Sequence, residues 1–120
     1  NLAEAQTLEA FGRFVKEKFQ LPFVKVYGDL NKKVERVAVC TGSGKSLMPS
    51  VLHSQADVYV TADMDYHSSI DAVSQGICVI DAGHYGTEYI FMDYMEEELG
   101  QMLPELEVEK MRVQHPCKAI

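Results

Sequence analysis

Three short runs dominate the chain: Val37 to Cys40, Val58 to Thr61 and Ile77 to Ile80, each almost wholly apolar and each followed by a turn and a helix-like stretch. Runs of four residues are too short for buried helices, and their lack of alternation fits strands covered on both faces. Strands alternating with helices of roughly ten to fifteen residues make an α/β layer architecture with a mainly parallel sheet. In such a sheet ligands collect outside the carboxyl ends of the strands. Three loops fall there: Thr41 to Ser46, Thr61 to His67 and Asp81 to Glu88.

The flanking segments complete the plan. Leu8, Phe11, Val15 and Phe19 recur at three- and four-residue intervals between charged residues, so Ala3 to Phe19 reads as an amphipathic helix. Pro22 stops it, and Phe23 to Tyr27 reads as a strand. Across the turn cluster Gly28 to Asn31, that strand is expected to form an antiparallel hairpin with Val34 to Cys40, at one side of the sheet. Lys45 to Gln55 is expected to be a short helix with Pro49 in its first turn. Asp65 to Gln75 reads as a helix capped by its Asp, with Ile70 and Val73 inward and Gly76 ending it. Glu88 to Leu103 reads as a helix carrying Ile90, Phe91, Tyr94, Met95, Leu99 and Met102 on one side, Leu106 to Val113 as an edge strand, and His115 to Ile120 as a tail.

A chain of 120 residues with 47% apolar content fits one α/β domain, burying about two-thirds of its unfolded surface. Eighteen acidic against eleven basic residues leave a net charge of −7, which disfavours a broad phosphate-backbone footprint and so a nucleic-acid partner. No apolar run approaches the ~20 residues that cross a bilayer, so no membrane role is expected. Cys40, Cys78 and Cys117 are odd in number and widely spaced, which fits reduced thiols in a cytoplasmic protein. Asn1 stands where an initiator Met would, directly before a helix, as expected of a segment of a longer protein.

Gly42-Ser43-Gly44-Lys45-Ser46 has the end of a phosphate-binding P-loop, but the required first glycine falls on Val39, inside a strand. A glycine turn into a capped helix, or a loop bordering a site, accounts for it better. Asp63, Asp65 and His67 follow the second apolar run. His53 and His115 have no such setting and read as surface residues. In Gly83-His84-Tyr85-Gly86-Thr87-Glu88 an imidazole and a carboxylate four residues apart share one face of a first helical turn. These are donors that a Zn-, Mn- or Fe-type ion accepts. Two ligands do not complete a site, and the competing account is a loop histidine with a carboxylate drawn to a helix start.

The series Val37 to Gly44 (VAVCTGSG), Val58 to His67 (VYVTADMDYH) and Val79 to Glu88 (VIDAGHYGTE) resembles the C-terminal half of the NGG-interacting-factor-like family. Its members are also called dinuclear metal centre proteins or GTP cyclohydrolase 1 type 2 homologues. The match runs from about Leu8 to Val113 and departs at Ala62, where the family has Gly. The resemblance implies a site for two divalent metal ions between two similar α/β halves, with His84 and Glu88 as the ligands from this half. Asp63 and His67 would orient water or substrate. The remaining ligands, a His-His pair followed by Pro and a separate Asp, would come from the missing N-terminal half. It further implies a metal-dependent hydrolase acting on a small molecule such as a nucleotide, with GTP ring opening as the named activity. Ring-shaped hexamers of the same chain are implied too, and an inserted PII-like domain in some members whose exit helix would resemble Ala3 to Phe19. Two other readings compete: an assembly module with a vestigial metal site, and a nucleotide-binding module through Gly42 to Ser46.

Overall fold

The structure is a computed structural model, and it describes residues 1–111. In chain order it contains β1 (Gln6–Thr7), α1 (Leu8–Lys18), β2 (Lys25–Tyr27), β3 (Lys33–Val34), β4 (Val37–Ser43), a 3₁₀ turn (Lys45–Leu47), α2 (Met48–His53), β5 (Val58–Ala62), α3 (Tyr66–Ser74), β6 (Cys78–Asp81), α4 (His84–Glu88) and α5 (Phe91–Met102). The main sheet has the order β2-β6-β5-β4. β4, β5 and β6 run parallel and β2 is antiparallel on β6.

Period-two alternation along β5 and β6 sorts the core into two layers. Val58, Val60, Cys78 and Ile80 pack with Leu8, Phe11 and Val15 of α1 on one face. Tyr59 packs with Val51 of α2, and Val79 with Ala72 of α3 and Met64, on the other. Both strands are buried at every position, as expected of strands with helices above and below. Thr7 caps α1 by accepting the Ala10 N–H, and Asp65 caps α3 by accepting the Ser68 N–H at 2.9 Å. No helix among the described residues is long and apolar enough to cross a membrane.

Several expectations are corrected. β2 and β4 do not form a hairpin. They lie at opposite edges of the sheet, and the chain between them adds β3 to β1 in a separate antiparallel pair. The turn at 28–31 does form, with the Asn31 N–H donating to Asp29 Oδ1, but which strand pairs with which is settled by burial far along the chain. β4 is therefore an edge, and Val39 is 62% exposed where it was expected to be covered on both faces. In α3 the inward residues are Ser69 and Ala72. Ile70 is exposed and Val73 half-buried, because the helix is rotated by about one position from the expected apolar pairing. The helix expected over Glu88 to Leu103 begins instead at Phe91 as α5, with the separate turn α4 ending at Glu88, and no residue of α5 is buried. Leu106 to Met111 carries no strand, and the last two positions of that expected strand, the 115–120 tail and Cys117 lie outside the described residues. Cys40 and Cys78 are free thiols.

Candidate functional site

The three expected loops do meet at the carboxyl ends of the parallel strands. α4 is a single turn of helix, and the four-residue spacing brings His84 Nε2 to 3.2 Å from Glu88 Oε1, both side chains half exposed. His84 Nδ1 lies 2.5 Å from Asp63 Oδ2, so the ring is gripped on both nitrogens. The hydrogen bond that His84 Nδ1 donates to Asp63, then the charge of Glu88, hold the imidazole pKa above its ordinary value. Asp63 reaches His84 from a left-handed backbone conformation (φ 54°), a strained state for a non-glycine residue of the kind concentrated at functional sites.

The glycine-rich loop closes the arrangement from a third side. The Gly42 N–H donates to Thr87 Oγ1 at 2.9 Å, and Thr61 Oγ1 donates to the Gly42 carbonyl. A Cβ at Gly42 would stand 2.5 Å from Glu88 Oε1 and 3.2 Å from His84 Nε2, so a side chain there would push the Glu88 carboxylate aside, and the positive φ of 62° also favours glycine. Gly44 is needed for a similar reason, since a Cβ there would meet Thr61 Oγ1 and Tyr59 OH at 2.1 Å. These contacts explain the glycines without a phosphate. Lys45, the residue a P-loop would aim at phosphate, pairs instead with the helix-capping Asp65 at 2.5 Å. Lys45 and the Ser68 N–H together hold the Asp65 carboxyl far below the usual carboxylate range.

The other expected residues fall outside this cluster. His67 sits in the first turn of α3, exposed, with its ring edge-on to Tyr66, and it is not among the residues lining the neighbouring pocket. His53 is exposed and bonds to the Pro49 carbonyl of its own helix. His115 lies outside the described residues.

Two residues that the sequence did not single out belong to the site. Asp81 ends β6 and is buried. Its Oδ1 accepts the Gly83 N–H at 3.0 Å and its Oδ2 lies 3.1 Å from Lys25 Nζ. Lys25 and Asp81 are register partners across β2 and β6. This contact keeps the Lys25 ammonium pKa above its ordinary value against the opposing effect of burial. A carboxylate ending an otherwise apolar strand was the available signal for Asp81, whereas Lys25, between two valines, reads as a solvent-facing strand residue.

The donor set can be tested against a metal on its chemistry. Imidazole Nε2 and a carboxylate oxygen share one exposed face, and the second ring nitrogen is held by a carboxylate, as metal-binding histidines usually are. The set is short, however. Among the described residues no group of three or more His, Cys, Asp and Glu side chains is arranged to hold a metal ion by itself. The residues present fit part of a site.

The chain is similar to the GTP cyclohydrolase 1 type 2 homolog of Halalkalibacterium halodurans, 38% identical over 102 residues that make up 85% of this chain and 27% of that protein. The homolog from Streptococcus pneumoniae is 37% identical over 82% of this chain and 38% of its own length. The chain thus spans well under half of these relatives. Among solved structures, a Staphylococcus aureus protein superposes with a TM-score of 0.87 at 28% identity, over 99% of this chain and 40% of that one. A Bacillus cereus protein related to NIF3 gives 0.85 at 28%, over 99% and 34%. The family model described as Duf34/NIF3 (NGG1p interacting factor 3) matches residues 1–116, and the chain belongs to that family.

Proposed function

We propose that this chain supplies one side of a two-metal centre in a hydrolase-type protein, with His84 Nε2 and Glu88 Oε1 as ligands. The observation that carries the proposal is their 3.2 Å approach on an open face while Asp63 holds the opposite ring nitrogen. In this reading Asp63 keeps the His84 proton on Nδ1 and leaves the Nε2 lone pair for the metal. The chemistry such ions supply when bound is polarisation of a substrate oxygen and acidification of water. Thr87 and the Gly42 backbone fix the loop that presents the ligands. His67 is assigned no step. The missing ligands would come from the N-terminal half that the relatives' greater length provides for. The names of those relatives support a small nucleotide such as GTP as substrate class.

The test is the metal content of the full-length protein by elemental mass spectrometry, wild type against a His84→Ala, Glu88→Ala double variant. At least about a tenfold weaker retention is expected, within the range that loss of a ligand or its support produces. Equal metal in the two proteins would overturn the assignment.

A second reading, subunit assembly, is favoured by α5, whose Phe91 and Tyr94 are 59% and 56% exposed on a helix with no buried residue. The two readings are compatible, since a site divided between halves or copies requires a surface that joins them.

A further inference from the structure

A pocket of about 340 Å³ opens beside His84, with Leu21, Phe23 and Tyr85 among its walls and Lys25 and Asp81 among its lining residues. That volume is at the small end of ligand sites, enough for one ring system with its substituent. The Asp81 side chain is only 1% exposed, and its Oδ2 accepts no hydrogen bond from the described residues although the Lys25 ammonium is 3.1 Å away. A buried carboxylate in that state depends on the neighbouring cation for its compensation. Asp81 therefore pins the ammonium in place, and the register pairing of the two residues fixes the same position through the backbone.

The ammonium carries three N–H donors and no acceptor, and Asp81 faces one side of it. The Lys25 side chain remains 56% exposed, so the other donors are open to a ligand. Apolar and aromatic walls beside one fixed cation favour a flat molecule with an acceptor oxygen. We propose that Lys25 anchors the ligand of this site: the pocket takes a small aromatic or heteroaromatic molecule whose phosphoryl or carboxyl oxygen sits on the Lys25 ammonium, beside the His84–Glu88 face. This deepens the metal-centre reading and rests on it only for the chemistry at the His84 end of the pocket.

The experiment titrates phenyl phosphate and benzoate into the full-length protein in the presence of EDTA, by isothermal calorimetry, so that a metal cannot supply the binding. At least one probe binds, and which one identifies the acceptor group. Its ringless counterpart, inorganic phosphate or acetate, binds about tenfold more weakly, a difference within reach of one buried ring. Lys25→Met combined with Asp81→Asn, which avoids stranding an unpaired carboxylate, weakens binding at least about tenfold, and Lys25→Arg retains it. In the wild-type protein the bound probe slows acetylation of Lys25 relative to the exposed Lys16, read by peptide mass spectrometry, so the outcome does not depend on the double variant folding. Absence of binding at millimolar probe, or binding with no protection of Lys25, overturns the proposal. The Glu88→Ala variant, at a residue that does not line the pocket, separates the two readings: it should still bind the probe when its metal retention has fallen, and failure of the metal assignment leaves probe binding unchanged.

Discussion

Gly42 is the residue on which the geometry around His84 and Glu88 turns. Its φ of 62° lies in the left-handed region, and a Cβ on it would stand 2.5 Å from Glu88 Oε1, which would have to shift. Gly42→Ala is expected to cost about 1–2 kcal/mol of stability from the backbone conformation. It should also weaken zinc binding by the full-length protein at least about tenfold, because Glu88 must move aside. Denaturant unfolding and metal titration measure the two effects separately, and unchanged zinc affinity would show that the contact does not position the ligands. His84 and Glu88 were legible in the sequence because helical periodicity is local. Asp63 was legible as a candidate, but its contact with His84 spans 21 positions and depends on β5 lying next to β6.

At the level of elements, the junction of β4 and β5 is clamped by Asp57. Its Oδ2 accepts the backbone N–H groups of Glu35 and Arg36 at 2.9 and 2.8 Å, just before β4 begins. The Arg36 hydrogen bond, then that of Glu35, lower its pKa below 3.8 despite the opposing effect of burial. A folded-state pKa below the unfolded one means the contribution to stability is present above about pH 4 and is lost as pH falls through the folded value. Asp57→Asn should therefore lower unfolding free energy at pH 7 by about 1.5 kcal/mol, as for hydrogen bonds to a charged acceptor. The difference should shrink steadily below pH 4, and a gap that stays constant to pH 2 would contradict this account. The strands β5 and β6 and the caps at Thr7 and Asp65 are matters of local pattern. The supposed hairpin is not, because the turn at 28–31 is compatible with either a return alongside β2 or a passage to the far edge.

At the scale of the whole molecule, the described residues are more extended than a compact domain of this size requires. Its Cα radius of gyration is 16.1 Å, against about 14 Å for a compact domain of this size. The sequence marks one side of α5 as apolar, and on that side Phe91, Tyr94 and Met102 all stay exposed. Exposed apolar side chains of this kind are what the proposed assembly reading calls for. Phe91→Glu with Tyr94→Glu is expected to reduce self-association of the isolated chain in light scattering. Fold stability should change by no more than about 0.5 kcal/mol, as for exposed positions. A chain that is already strictly monomeric would argue against α5 as a self-contained assembly surface.

The amino-acid sequence alone was enough for the α/β class, the mainly parallel sheet, the cap at Asp65, and the placing of His84 and Glu88 on one helical turn. All of these depend on residues within a few positions of one another or on the plain alternation of short apolar runs with helices. It took the folded chain to pair β2 with β6, to bring Asp63 onto His84, to lay Gly42 over the pair, and to set Lys25 against Asp81 beside a pocket. Each of those joins residues more than twenty positions apart. Such contacts form only when the apolar strands have been buried together, and no local pattern records which distant partner that burial selects.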